Sequence, residues 1–364
     1  MKAKVRLRFT AGFLVLCLTA ALAACGGKPS GEAANSTGTN SPSPATTADN
    51  KTKPPIAKIN VAYMPDVNGV PPIVLGEEKG YFKEYGLEVN AVKFLSGPPE
   101  FQAMAARDID IAVIGPGATF LAAQGQGKII ALTSLGFGDR VLATKKSGIK
   151  AFKDLKGKTV GTPKGTSGEM ILNLGLEKAG LSPSDVNVVN MDVAGAVSAF
   201  VANKVDAVAI WSPYTDEIEK QVGKDNFVEV GGSKSFYPDY VFPGAWVVQP
   251  KFLEEKRDVV ERFFKAWVKA NDYHIKNLDE SVKLVAKYTQ VPEDSLRSQL
   301  ANMEWIDSAK QAAQFQDGTI IKWYDHLVEL FVKNEKMTKA VPASEFIDTE
   351  LFPKIVKELE AEAK

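Results

Sequence analysis

The chain has 364 residues, with 44 Lys and Arg against 44 Asp and Glu, two cysteines and two histidines. That balance leaves no basic footprint for nucleic acid, and two histidines are a poor basis for a His-centred base or metal site. With 45% hydrophobic residues, the chain can bury a large core.

The first residues read as a targeting segment. Lys2, Lys4, Arg6 and Arg8 precede the apolar run AGFLVLCLTAALAA, which is too short to span a bilayer comfortably as a mature helix. Residues 1–24 are therefore expected to form a signal peptide. The run ends in LAAC, Leu22 to Cys25, a pattern that resembles the bacterial lipobox, where the cysteine receives the lipid and becomes the mature N-terminus. Residues 25–55 then run through Gly, Ser, Thr, Pro and Asn without apolar periodicity, the composition of a flexible tether. Its typical end-to-end distance would be about 30 Å, or about 100 Å if pulled straight. Cys17 falls in the removed segment and Cys25 would carry lipid, so the folded body keeps no thiol for disulfides or catalysis. Processing takes four basic residues and no acid, leaving 40 Lys and Arg against 44 Asp and Glu. The remaining body of about 310 residues exceeds the usual single core, which predicts two domains.

From residue 57 onward, short β-branched runs alternate with helix-length amphipathic runs: AKINVAYM, PPIVLGEEKGYFKEYG, LEVNAVKF, PPEFQAMAARD, IDIAVIG, GATFLAAQGQG, KIIALTS. The rhythm restarts at KTVGTP and runs through GTSGEMILNLGLEKAG, VNVVNM, AGAVSAFVANK and VDAVAIW. Such alternation predicts parallel α/β sheets, here in two units. One phrase recurs: DIDIAVIGP, residues 108–116, returns as KVDAVAIWSP, residues 204–213, with Asp110 aligned on Asp206. The preceding helices match as well, Phe101, Met104 and Ala105 aligning with Val197, Phe200 and Val201.

The segments GYFKEYGLEV, SGPPEFQAMAARDIDIAVIG, SGIKAFKDLKGKTVGTPKGTSGEMIL, LEKAGLSPSDVNVVNM and VDAVAIWSPY, in this order, resemble the solute-binding proteins of ABC importers for nitrate, alkanesulfonates, taurine and pyrimidines. The likeness covers most of the chain from about Ile59 to Pro250. It implies an α/β fold of the type II periplasmic-binding-protein class: two lobes closing like a flytrap on a shared ligand, with a helical C-terminal part on the first lobe. The implied division is 56–143 plus 246–364 for lobe 1 and 144–245 for lobe 2. Crossings are expected near 144–148 and 240–245.

In open parallel sheets, ligands sit beyond the carboxyl ends of the strands, where the following helices begin. Those positions predict a ligand set of Asp66 in the first lobe's first loop, Ser96 with Gly97, and Gly115 with Pro116. The second lobe adds Lys164, Gly165, Thr166 and Ser167, then Asp192, then Trp211 with Ser212. Free N–H groups and the macrodipole at a helix start suit an anion without an arginine. Ser96, Thr166 and Asp192 have a competing reading as plain N-caps, and TSGE at 166–169 fits a capping box. Trp211 offers an apolar wall and one N–H donor. Several relatives associated with polar or amine-bearing ligands carry an acid after this Trp, where this chain has Ser212, a departure that counts against an amine partner; Asp66, Asp139 and Asp192 lie at the same edge and leave an amino group open. Arg140 is a candidate counter-charge, Trp246 reads equally as cleft or core, and Phe137 and Tyr63 are alternative stacking partners for a heteroaromatic solute.

Enzymatic readings find little support. His274 and His326 fall in helical C-terminal segments, GTPKGTSG lacks the Lys-Ser/Thr ending of a phosphate-cradling loop, and no GxGxxG opens a helix. The cysteine-rich motif of the related pyrimidine synthases is absent. The expectation is a non-enzymatic, monomeric, lipid-anchored receptor without a cofactor and without a nucleic-acid partner. It would bind a small anionic solute, an alkanesulfonate or taurine, outside the cell membrane and deliver it to ABC permease subunits. A pyrimidine or other heteroaromatic ligand, or a sensory role, is the alternative.

Overall fold

The computed structural model describes residues 55–363. The expected signal peptide, Cys25 and nearly all of the expected tether lie outside the described residues.

Two sheets organise these residues. The first contains β1 (Ala57–Tyr63), β2 (Leu87–Lys93), β3 (Ile111–Ile114), β4 (Lys128–Gly136), β10 (Pro243–Val248) and β11 (Met303–Trp305), in the order β11-β4-β10-β3-β1-β2. The second contains β5 (Asp139–Thr144), β6 (Thr159–Thr162), β7 (Asn187–Asn190), β8 (Ala207–Trp211) and β9 (Phe227–Gly232), in the order β7-β6-β8-β5-β9. The two share one plan: β2-β1-β3 and β7-β6-β8 are parallel triplets, and each is followed by one antiparallel strand, β10 or β5. That antiparallel strand comes in each case from the far side of the chain's passage between the sheets. This is the two-lobed flytrap plan that the resemblance implied.

The passage itself differs from the expected one. Residues 139–144 belong to the second sheet, where Asp139 pairs with Trp211, so the chain leaves the first sheet at Phe137 and Gly138. The return strand β10 enters the first sheet at Pro243. An apolar strand carries no local mark of which sheet it will join, and GFGDRVLAT had therefore been read as part of the first lobe.

The repeated phrase forms β3 and β8 with their preceding helices, Gly97–Ala105 and Val193–Val201. Phe101 and Met104 are buried in one copy, Val197 and Phe200 in the other, while Ala105 is exposed. Strand β3 is buried along its whole length and β8 up to Trp211, as expected for central parallel strands covered on both faces. The shared aspartates do the same work in each. Asp110 Oδ2 accepts from the Asn60 N–H at 2.8 Å and Asp206 Oδ2 from the Thr159 N–H at 2.9 Å. Both aspartates also donate their own N–H back to that residue's carbonyl. Each carboxylate thus pins the first parallel strand of its own sheet.

The C-terminal helices cover the first sheet. Helix Arg257–Lys276 buries Val260, Phe263, Phe264 and Trp267 along one face. Trp246 on β10 packs against Phe263 and Trp267 with ring centroids 5.6 and 6.2 Å apart. Trp246 is therefore core and does not reach the cleft. His274 is buried against the Trp305 ring at 4.6 Å, and loss of hydration holds its pKa down at about 3.

Candidate functional site

A cavity of about 80 Å³ lies between the ends of the two sheets. From the first lobe it is lined by Met64, Asp66, Asn68, Ser96, Gly97, Gly115, Pro116, Ala118, Gly136, Phe242, Gly244 and Met303. Gly138, Asp139, Thr166, Ser167, Trp211 and Ser212 complete it from the crossing and the second lobe. The sequence had singled out Asp66, Ser96, Gly97, Gly115, Pro116, Thr166, Ser167, Trp211 and Ser212, and these are brought together here. Lys164, Gly165 and Asp192 are not. Lys164 is exposed and lines a separate surface cavity with Pro98, Gln102 and Phe120. Asp192 is exposed and caps its own helix, accepting from the Gly195 N–H at 2.7 Å. Phe137 pairs edge-on with Tyr237 and Tyr63 tilts against Tyr288, so neither lines this cavity.

The charges in the cavity are acidic. Asp66 sits in the turn after β1, where its Oδ1 accepts from the N–H groups of Asn68 and Gly69 at 2.9 and 3.2 Å. Burial outweighs those two bonds and lifts its carboxyl to about 6. Asp139 begins β5 beside Trp211, is 6% exposed, and its Oδ1 has no hydrogen-bond partner. Burial raises its pKa to about 6, with Ser167 and the charge of Arg140 holding it back. Near Asp66, Glu100 is fully buried in helix Gly97–Ala105 with neither carboxylate oxygen paired. Desolvation, reinforced by the Asp66 charge, holds its pKa well above the ordinary carboxylate range.

Among the described residues, no lysine or arginine lines the cavity. Successive strand side chains point to opposite faces, and Arg140, next to Asp139, turns to a neighbouring cavity. There it meets Glu229 at 3.1 Å and Asn302 at 3.2 Å. The helix starts are also partly spent. Prolines occupy 71–72 and 98–99 in the first turns of helices Val70–Glu78 and Gly97–Ala105, removing N–H donors. In the second lobe, the Gly165 N–H donates to Glu169 Oε2 at 2.6 Å, while the Thr166 hydroxyl donates to the Pro163 carbonyl. The expected capping box at 166–169 therefore does not form: Glu169 reaches back one residue too far.

The lobes approach closely beside the cavity. A Cβ placed on Gly117 would overlap the Thr166 carbonyl carbon and the Ser167 nitrogen, so only glycine lets the two loops meet. Gly165, at φ +74°, lies against Pro98 and Phe120. At the two edges of this contact, the C-terminal part reaches over to the second lobe. Lys336 pairs with Glu169 at 2.7 Å and Lys333 with Glu177 at 2.6 Å on one side. On the other, Ser298 and Ser212 both donate to Asp216, and Lys220 donates to Ser295.

Sequence reasoning missed Met64, Phe242, Gly244 and Met303. Gly244 carried a signal within YVFPGAWVV, where a side chain would overlap the Thr133 hydroxyl that donates to Asn68 at 2.6 Å. Met303 arrives on an edge strand from the C-terminal part and had no local signal. Among the described residues, no group of three or more His, Cys, Asp or Glu is placed to hold a metal ion.

Comparison with known proteins agrees with this architecture. A binding protein of Brucella abortus (strain 2308) is 34% identical over 294 residues, covering 81% of this chain and 91% of its own. A Bacillus subtilis (strain 168) protein named for binding aliphatic sulfonates is 30% identical over 296 residues, covering 79% and 85%. Among solved structures, the alkanesulfonate-binding protein SsuA of Xanthomonas axonopodis pv. citri superposes with a TM-score of 0.65 at 20% identity, over 81% of this chain and 99% of that one. The model of the NMT1/THI5 like family matches residues 68–281, more than half of the chain, and this chain belongs to that family.

Proposed function

We propose that this protein is the extracytoplasmic solute-capture component of an ABC importer, acting as a monomer held to the outer face of the membrane by a lipid on Cys25. The solute is a small organic molecule of the sulfonate or taurine type. The observation that carries the reading is a cavity lined from two sheets with a glycine-only contact beside it, the geometry of a site completed by closure. A ligand touching both lobes favours the closed arrangement by its differential affinity, and that arrangement is what a permease would recognise. The 30% identical sulfonate-binding relative supports the solute class. Met64, Pro116, Phe242, Met303 and the Trp211 ring form apolar walls for a short alkyl group. A micromolar dissociation constant requires about 8 kcal/mol, within reach of a few charge-assisted hydrogen bonds plus that burial. The relatives named as binding proteins support capture without catalysis.

The test is a thermal-shift screen of the protein with taurine, short alkanesulfonates, nitrate, sulfate and pyrimidines. A ligand at about 100 times its dissociation constant adds about 2.7 kcal/mol to stability. A shift with sulfonates is expected, and Trp211→Ala should weaken the binding tenfold or more in a folded protein. A shift with pyrimidines alone would replace the sulfonate class by a stacked heterocycle against Trp211.

A further inference from the structure

We propose that the solute captured here carries a nitrogen that brings hydrogens, an ammonium or an amino-substituted ring, and that Asp139, with Asp66, receives it. This rests on the reading of the cavity as a capture site and narrows its ligand.

Among the described residues, the lining holds two carboxylates and no cationic side chain. Asp139 is 6% exposed, lines the cavity, pairs across the sheet with Trp211 and leaves Oδ1 with no partner. A buried acceptor that lacks a donor is costly, and a ligand N–H would satisfy it. Asp66 spends only Oδ1 on the turn that follows β1. The neighbouring cation, Arg140, spends its guanidinium on Glu229 and Asn302. Prolines and Glu169 have meanwhile removed or occupied several of the backbone donors that a plain anion would need. A bare anion would enter beside two carboxylates, whereas a zwitterion or an amine would bring the missing donor and opposite charge. The Trp211 ring adjoining Asp139 adds a face for a cationic or π-deficient group.

The experiment is calorimetric titration of the full-length protein in detergent with matched pairs: taurine against ethanesulfonate and isethionate, 4-aminopyrimidine against pyrimidine, and ethanolamine as a sulfonate-free amine. The same titrations are run on Asp139→Asn and Asp66→Asn, with circular dichroism to establish folding. The expected result is that the aminated member of at least one pair binds tenfold or more tighter, and that Asp139→Asn erases the difference. Equal binding of the amine-free members, or a preference that survives both substitutions, overturns the proposal while leaving solute capture intact. Binding of ethanolamine but of no sulfonate upholds the nitrogen and removes the sulfonate. Heat from none of the compounds overturns both the nitrogen and the solute class.

Discussion

The two copies of the repeated phrase begin alike and end differently. Asp110 and Asp206 each pin the first parallel strand of their own sheet through matching hydrogen bonds of 2.8 and 2.9 Å. At the other end of the strand, the first copy runs into Gly115, Pro116 and Gly117, and the second into Trp211 and Ser212. One lobe removes side chains so that its partner's backbone can approach; the other supplies an indole and, by register, sits Asp139 beside it. Duplicated scaffolding is thus kept for stability while the strand ends diverge for the site, as expected where ligands lie beyond the carboxyl ends of strands.

The sharpest way to break this comparison is at the glycine. Gly117→Ala would put a methyl group onto backbone atoms of the opposite lobe, so the closed contact cannot form unchanged. Ligand affinity should fall about hundredfold, a loss of ~2.7 kcal/mol, while melting of the unliganded protein changes little. Undiminished affinity by titration would show that closure does not bring these loops together.

A second test concerns the indole's neighbour. Because burial raises the folded-state pKa of Asp139 to about 6, its ionisation costs stability above that pH. Asp139→Asn should therefore be more stable than the natural protein by ~3 kcal/mol at pH 7.5. The gap should close as pH falls from about 6 to below 4, where the carboxyl becomes neutral in folded and unfolded chains alike. A gap in denaturant midpoints independent of pH would remove the buried charge as its cause.

The shared half of the phrase predicts equal effects. Asp110→Ala and Asp206→Ala should each cost ~1.5 kcal/mol by stranding one strand's first N–H, with solute affinity nearly untouched. A loss of affinity in only one of them would mean that the pin also shapes the cleft. The smallest effect is expected at the edge: Lys336→Met breaks the pair with Glu169, whose partners include the Gly165 N–H. A partly exposed pair of this kind is worth under ~1 kcal/mol, read as a severalfold loss of affinity at low salt that shrinks as salt is raised.

Much of this architecture is legible in the chain. The alternation of β-branched and amphipathic runs marks the strands and helices, and the recurrence at Asp110 and Asp206 announces two related units. The aspartates' role was not legible, because a carboxylate before a strand can cap, bind or pin, and only the neighbouring strand decides. The strand at 139–144 was assigned to the wrong lobe, since hydrophobic alternation says that a strand will be buried but not in which sheet. For the same reason Trp246 could be read as cleft or core until the helix carrying Phe263 and Trp267 was seen to cover it.

Local chemistry, then, determined the elements, the duplication and most of the strand-end residues that face the cavity, because periodicity and turn residues act over a few positions. Tertiary structure alone decided the sign of the site's charge. Arg140 and Asp139 are adjacent in sequence, yet the pleat sends one to Glu229 and Asn302 and leaves the other lining the cavity with its Oδ1 unpaired. Lys164 and Gly165 were displaced from the site by bonds to Asn190 and Glu169. Met303 joined it from over 90 residues beyond Trp211 through the edge pairing of β11 with β4. Charges and hydrogen-bond donors act on whatever the fold brings within a few ångströms, and that proximity is not written in the order of the chain.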